Sequence, residues 1–547
     1  MDNETIGSTL DQVADLLEIE GASVFRVRAY RGAARTVSAL ASPVSTLPEK
    51  GPGSLEELPG IGKDLAGKIR ELAESGELAL LHELKSRTPE SLIHLLELPG
   101  LGPKRAKAIH EGLGIDTIEE LEKAAREGRL RALKGVGPKL EAQILEGIAA
   151  RAARGKRISL AEAEAQVEPI VARLREVPGV LQIEVAGSYR RRRDNVGDVD
   201  ILVAADVSVA IGKKLIADPQ TDKVLADGDT KTSVLLKSGL QVDLRVVPEE
   251  TFGAAMHYFT GSKAHNIAIR TLGVRKKLKI SEWGVFQEDK RLSGEREEDV
   301  FASVGLAWVP PEIREDRGEI DAAREGKLPK LVERGELRGD VVAGPLDAEA
   351  IAAIAAACCE KGAAWLVVLG ASRDVIVGAQ KVAAPTDLLA GVVVSIGEGG
   401  AIGASEEELA GYDVVYGEVD AANLDEKALT QALVAAAKTG RIGVLGRPAS
   451  GGKPRQFDVE AVAKVCREHG VLLGLDARPT RLAGADGYAR AVKEAGATLV
   501  ITSHARSAEE AKHIRFGLDQ ARRGWCESKD VANTRAAEAF RELLARR

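Results

Sequence analysis

Residues 187–203 read GSYRRRRDNVGDVDILV. Gly187 and Ser188 open a turn, Arg190 to Arg193 follow, and Asp198 and Asp200 flank Val199 ahead of the apolar Ile201, Leu202 and Val203. Residues two apart on a strand share a face, so both carboxylates sit on one side, at the rim of a strand whose apolar end is buried. Two carboxylates on one face make a hard oxygen site that suits Mg²⁺. Gly187 and Ser188 offer backbone N–H groups and a hydroxyl to a phosphate. A third carboxylate, Asp243, lies in the strand-like LQVDLRVV of residues 240–247. Three carboxylates can hold two metal ions that clamp the attacking and leaving oxygens of an in-line phosphoryl transfer. A bare Asp-x-Asp is more often a solvated strand end. The preceding Gly-Ser and the second Asp-bearing strand favour the chemical reading.

Upstream, one plan recurs three times: LPGIGKDLAGKI (58–69), LPGLGPKRAKAI (98–109) and LKGVGPKLEAQI (133–144). Each is a Leu, a turn, Gly-x-Gly, a basic residue and then a helix, the helix-hairpin-helix pattern. The glycines, Gly60 and Gly62, Gly100 and Gly102, Gly135 and Gly137, let the backbone approach a phosphate, and the helix N-terminus that follows presents free N–H groups to it. Such contacts hold a DNA backbone without reading sequence. They need little positive charge, which reconciles DNA binding with a net charge of −7. Arg190–Arg193 and RKKLK (275–279) are local basic patches, or else solvated surface. Ahead of the repeats, SVFRVRAYRGAARTVSAL places Val24, Val27, Ala34, Val37 and Leu40 close to helical spacing.

A chain of 547 residues is too long for one core. It has no apolar run long enough to span a membrane, so no membrane partner is expected. The four cysteines, Cys358, Cys359, Cys466 and Cys526, form no CxxC, and a reducing cytoplasm is expected.

These motifs, with YFTGS (Tyr258–Ser262), Asn266 and Arg270 after them, resemble the nucleotidyltransferase signature and, more closely, the family X DNA polymerases, over residues 1 to about 316. The resemblance implies a template-directed DNA polymerase of bacterial type, cytoplasmic and nucleoid-associated, that fills short gaps in DNA repair. Its partners would be gapped or primer-template DNA and a deoxynucleoside triphosphate (dNTP). Asp198, Asp200 and Asp243 would be the metal ligands for two Mg²⁺ or Mn²⁺ ions, with Asp243 assisting the primer 3′-hydroxyl. Arg157, Gly187, Ser188, Arg191 and Gly197 match positions that contact the triphosphate. Tyr258, Phe259 and Gly261 match those beside the incoming sugar, where close packing would disfavour a 2′-hydroxyl. Asn266 and Arg270 match minor-groove contacts. In relatives some hairpins also hold a monovalent cation. Lys68 stands where the family places a Schiff-base lysine that releases 5′-deoxyribose phosphate, although a lysine after a DNA-binding hairpin is more often a phosphate contact.

The fold class implied is multidomain. Helix-hairpin-helix domains would occupy 1–83 and 84–153, an α+β nucleotidyltransferase palm 154–248, a nucleotide-selecting thumb 249–316, a charged linker 317–336 and an α/β barrel 337–547. From Leu337 on, apolar strands at 364–372, 391–397, 412–419, 441–448, 471–479 and 498–505 alternate with Ala-rich helices. This half resembles the polymerase-and-histidinol-phosphatase (PHP) domain of bacterial family X polymerases, through RGD (338–340), GRP (446–448), ARPTRL (477–482) and ARRGW (521–525). Where active relatives carry metal ligands, this chain has Val342, Gly344, Gly370, Ala371, Val393, Asp420, Arg447 and Arg506. Val, Gly and Ala cannot bind metal, so no metal and no hydrolysis are expected there. A relocated site of Glu418, Asp476 and His504 is the alternative. Every polymerase motif precedes Glu315, so residues 1–315 alone are expected to polymerise. Competing readings are a non-catalytic DNA scaffold, a polymerase with residual 3′-5′ exonuclease or abasic-site activity in the barrel, and a nucleotidyltransferase acting on tRNA or a small molecule.

Overall fold

The strand that carries the two aspartates runs Asp198–Ala205, with alternation at its start and then five buried residues in succession. The structure is a computed structural model that describes residues 3–545 other than 39, 41–43, 45–46, 49–50, 52, 90, 97, 99–100, 134–135, 154–156, 206–207, 345–346, 383–385, 420–422 and 451–452. Gly100, Gly135 and Asp420 therefore lie outside the described residues. The chain forms two units, 1–155 and 156–547.

The first unit is helical. Helices Asn3–Ile19 and Val24–Ser38 pack through Ile6, Leu10, Val13, Val27, Ala34 and Val37. Val24 departs from the helical-face expectation and is exposed. The hairpin helices Lys63–Ser75 and Pro103–Leu113 begin at the N-caps Gly62 and Gly102, and each ends at a left-handed glycine, Gly76 and Gly114. Only Gly60, at φ +79°, needs glycine for its backbone angle in the first turn. A Cβ at Gly62, Gly102 or Gly137 would meet nothing within 4 Å. No internal packing requires those three to be glycine.

In the second unit, the helix Leu160–Arg175 starts at a Ser159–Glu162 capping box. It packs on a five-stranded sheet ordered Val180–Val185, Asp198–Ala205, Gln241–Val247, Lys231–Leu236 and Thr221–Asp227. The aspartate strand and Gln241–Val247 are parallel neighbours, and Asp200 is register partner of Asp243. Gly187–Arg190, read as a turn, is one turn of helix. Helices Phe252–Thr260 and Lys263–Arg275 and a three-stranded sheet (Lys279–Ser281, Gly284–Gln287, Lys290–Ser293) follow.

The segment read as a charged linker is built into this body. Its helix Glu319–Glu325 buries Ile320 and Ala323 in the same core as Phe301, and the buried Glu319 carboxylate meets His265 Nδ1 at 2.7 Å.

The C-terminal half is a seven-stranded parallel sheet in chain order: Gly339–Ala343, Trp365–Leu369, Asp387–Ile396, Val414–Val419, Val444–Leu445, Leu472–Asp476 and Leu499–Thr502. The His504 N–H donates to the Val341 carbonyl at 3.1 Å and the Ala343 N–H to the Ala505 carbonyl at 3.1 Å, so the ends meet and the barrel nearly closes. Alternate residues fill the interior. Val341, Val367, Val414 and Val500 face in, and Trp365 stacks on Phe540 at 3.9 Å. Val342, Leu366, Val368 and Leu388 face out against the helix Ala348–Cys359.

Candidate active site

Asp198 and Asp200 sit at the start of their strand, and Asp243 stands beside Asp200 on the parallel neighbour, at a strand spacing of about 4.8 Å. Asp198 is exposed, while Asp200 and Asp243 are half-buried. Burial pushes the Asp200 carboxyl up to about 7, and the carboxylates of Asp198 and Asp243 add to the rise. Such a cluster of oxygen donors, repelling one another, is the donor set that a divalent cation relieves. Gln241 Nε2 donates to both oxygens of Asp243, at 3.1 and 3.2 Å, and fixes its orientation.

A cleft of about 610 Å³ opens in front of Asp198 and Asp200. Nine of the residues expected at the nucleotide line it: Arg157, Gly187, Ser188, Arg191, Tyr258, Phe259, Gly261, Asn266 and Arg270. Arg193 and Lys263 line it too. The sequence reading passed over them, although one belongs to the arginine run and the other directly follows YFTGS. Gly187 has φ +65°, and a Cβ there would come within 2.7 Å of Asp200 Oδ2, so glycine is required where the turn crosses the carboxylate. Gly197 underlies Arg157, whose guanidinium is held by the Asn195 carbonyl at 2.8 Å. Gly261, at φ +69°, lies against Arg191, and a Cβ there would sit 3.1 Å from its Nη1. Tyr258 and Phe259 meet edge to face at 5.1 Å, and Arg245 covers the Phe259 ring at 4.7 Å. Asn266 Nδ2 donates to the Tyr258 carbonyl at 2.7 Å, so this amide braces the turn, and its Oδ1 is buried without a partner. Arg270, one helical turn on, is exposed.

The arginine run is not a free basic patch. Arg190 makes a two-pronged contact with Glu297 at 2.8 and 3.0 Å, and Arg314, fully buried, shares that carboxylate at 2.5 Å. Arg191 reaches the Thr260 carbonyl at 2.5 Å and Glu315 at 3.1 Å. Burial works against the Glu315 charge, yet Arg191 and Arg523 outweigh it and hold this carboxyl down at about 2. Arg192 pairs with Asp519 and Glu164, each at 2.6 Å. It also takes the left-handed region at φ +56°, a conformation costing a residue with a Cβ about 1 kcal/mol. The exposed cations are instead Arg275, Lys276, Lys277 and Lys279.

In the helical unit, Lys68 Nζ lies 2.5 Å from Asp64. Burial tends to lower its pKa, but the Asp64 carboxylate and the Tyr30 hydroxyl outweigh that and raise it. An amine held protonated is a phosphate contact before it is a nucleophile.

At the mouth of the barrel a cavity of about 70 Å³ is lined by Tyr416, Glu418, Arg447, Asp476, Arg478 and Arg481, among others. Asp476 is taken up by Arg478, at 3.0 and 2.5 Å. His504 packs edge-on to Tyr416 at 5.6 Å, and burial lowers its pKa to about 4. Arg447 lies over the Tyr488 ring at 5.2 Å and donates to the Ala483 carbonyl at 2.8 Å. Asp340, on the outward side of its strand with Val342, is buried near Cys358 and accepts from the Val341 and Ser503 N–H groups at 2.7 and 3.0 Å. Arg506 is exposed.

A DNA polymerase beta palm model matches residues 157–254 and a DNA polymerase beta thumb model residues 255–315. A helix-hairpin-helix domain model matches residues 1–78, and a SAM-like helix-hairpin-helix tandem model residues 92–150. The DNA polymerase lambda of Arabidopsis thaliana is 26% identical over 297 residues, covering 48% of this chain and 53% of that protein. The Rattus norvegicus DNA polymerase lambda is 26% identical over 346 residues, covering 57% of this chain and 56% of that one. The DNA polymerase/3′-5′ exonuclease PolX of Bacillus subtilis is 30% identical over 577 residues, covering 100% of both chains, barrel included. A likeness that runs unbroken from the hairpins through the palm to the barrel is one of descent: this chain belongs to the family X DNA polymerases and is a DNA-directed DNA polymerase.

Proposed function

We propose that the chain fills short gaps during DNA repair, with Asp198, Asp200 and Asp243 holding two divalent ions, Mg²⁺ or Mn²⁺. The observation that carries this is the meeting of two aspartates, a cluster of basic side chains and the Tyr258–Gly261 turn in one cleft, with Asp243 beside Asp200. When bound, the metal ions would supply charge neutralisation for the phosphates and acidify the primer 3′-hydroxyl. The chain's own groups do the rest. The Gly187 and Ser188 N–H groups, the Ser188 hydroxyl, Arg157 and Arg191 bind the triphosphate, and Arg193 and Lys263 add charge at the same cleft. Gly197 leaves room for Arg157. Asp243, oriented by Gln241, accepts the proton of the attacking hydroxyl. Tyr258 and Phe259 close on the deoxyribose face at Gly261 and exclude a 2′-hydroxyl. Asn266 and Arg270 present donors to the minor-groove edges of nucleotide and template.

The hairpins at Gly60, Gly62, Gly102 and Gly137, with Gly100 and Gly135 of the same repeats, hold the DNA backbone, and a monovalent cation bound by their carbonyls would assist. This grip is indifferent to sequence, which suits gaps anywhere in a genome. Four unpaired cysteines fit a bacterial cytoplasm, at the nucleoid. The Bacillus relative's name includes a 3′-5′ exonuclease. In this barrel we propose no metal and no hydrolysis, because Val342, Gly344, Gly370, Ala371 and Val393 offer no ligands and Arg478 neutralises Asp476.

The test is primer extension by the full chain against Asp198→Ala and Asp243→Ala. Both variants should lose nucleotide addition by at least about a thousandfold while DNA affinity holds. Extension near the wild-type rate in either would refute the assignment.

A further inference from the structure

One helix of the barrel contacts the turn whose arginines line the nucleotide cleft. The helix Ile514–Arg523 carries Asp519 and Gln520 and, about one turn on, Arg523, which contact Arg191 and Arg192. Asp519 Oδ2 accepts from Arg192 Nε at 2.8 Å. Gln520 Nε2 donates to the Arg192 carbonyl at 3.0 Å, and Arg523 Nη1 to the Arg191 carbonyl at 2.7 Å. Arg523 also meets Glu315 at 3.2 Å, the same carboxylate that Arg191 holds, and Asp486 of the barrel at 2.9 Å. Gln520 and Arg523 are both buried.

The turn needs such a hold. Arg192 stands in the left-handed region, which a residue with a Cβ leaves unless its surroundings fix it. Consecutive carbonyls, of Arg191 and Arg192, take their side-chain donors from the barrel. Arg191 and Arg193, on either side of Arg192 in the chain, line the cleft. Displacement of Arg192 would therefore be passed directly to the two arginines beside it.

We propose that the barrel is a positioning element of the polymerase site: Asp519, Gln520 and Arg523 hold the 190–193 turn in the one conformation that presents Arg191 and Arg193 to the triphosphate. This rests on the reading of Arg191 as a triphosphate ligand. It gives the barrel a part in nucleotide binding that needs no metal, and it revises the expectation that residues 1–315 suffice.

The test is steady-state gap filling by full-length Asp519→Asn, Asp519→Glu and Gln520→Ala, with Arg191→Ala alongside. Asp519→Asn and Gln520→Ala should each raise the dNTP KM about fivefold, the scale of one lost buried hydrogen bond. Their kcat should stay within about twofold, and DNA affinity should be unchanged. Asp519→Glu, which keeps the charge, should recover most of the KM. Because Asp519→Asn is nearly isosteric, it remains informative if Gln520→Ala folds poorly. An unchanged KM in Asp519→Asn beside a raised KM in Arg191→Ala would overturn the positioning role. An unchanged KM in Arg191→Ala would overturn the triphosphate reading, and this proposal with it.

Discussion

Replacing Asp200 with Asn should stabilise the metal-free protein while abolishing its activity. The folded protein raises this carboxyl from 3.8 to about 7, first by burial and then by the neighbouring Asp198 and Asp243. The sign follows from the direction. Below pH 3.8 the group is protonated in both folded and unfolded chains and costs nothing. Between 3.8 and about 7 the unfolded chain ionises first, and stability falls as pH rises. Above about 7 the loss is complete, at most about 4 kcal/mol at ~1.4 kcal/mol per pH unit. Asparagine resembles the protonated carboxyl and escapes that penalty, though its own burial costs ~1–2 kcal/mol. The expected net gain at pH 8 in EDTA is thus about 2 kcal/mol, a midpoint shift of several degrees in a thermal melt. At pH 4 that advantage is gone, and the variant should melt no higher than wild type, lower by what the asparagine's own burial costs. Added Mg²⁺ should raise the wild-type midpoint and leave Asp200→Asn almost unmoved, since a ligand stabilises only the state that binds it. A variant no more stable than wild type at pH 8, or one equally stabilised at pH 4, would refute the electrostatic account of this site.

Two further outcomes bear on the rest of the molecule. Tyr258→Ala should open the sugar face and raise ribonucleotide incorporation relative to deoxyribonucleotide about tenfold, a modest steric discrimination; competition assays with an unchanged ratio would remove this residue from sugar selection. Gly62→Val with Gly102→Val should weaken binding of all DNA sequences alike and flatten its salt dependence. A Cβ at either position meets nothing within the protein, so the melting temperature should fall only by what two weaker helix N-caps cost; unimpaired binding would mean the hairpins do not touch DNA.

What the sequence made legible was local. Gly-Ser, Asp-x-Asp, YFTGS and the repeated Gly-x-Gly are each short, and their chemistry depends on neighbours a few positions away. The strand Thr221–Asp227 was missed because it is mostly exposed on both faces and carries no apolar alternation. The first barrel strand, Gly339–Ala343, is only five residues long and read as part of an RGD frame. The arginine run was misread for a different reason. As a sequence it is four adjacent cations and suggests an open basic surface. Its partners Glu297, Glu315 and Asp519 lie 107, 124 and 327 positions away, and no local pattern reports on pairs so distant. The fixed charge of these arginines is largely spent inside the fold, and what remains faces the cleft.

The most direct measurement of the central claim is addition of a single nucleotide by the full-length protein to DNA carrying a one-nucleotide gap, with each of the four bases in the template, in Mg²⁺ and in Mn²⁺. The account predicts that only the complementary deoxynucleotide is added, more efficiently at the gap than at a simple recessed primer end, and that Asp243→Ala adds none. Addition that ignores the template base, or that survives the loss of Asp243, would contradict it.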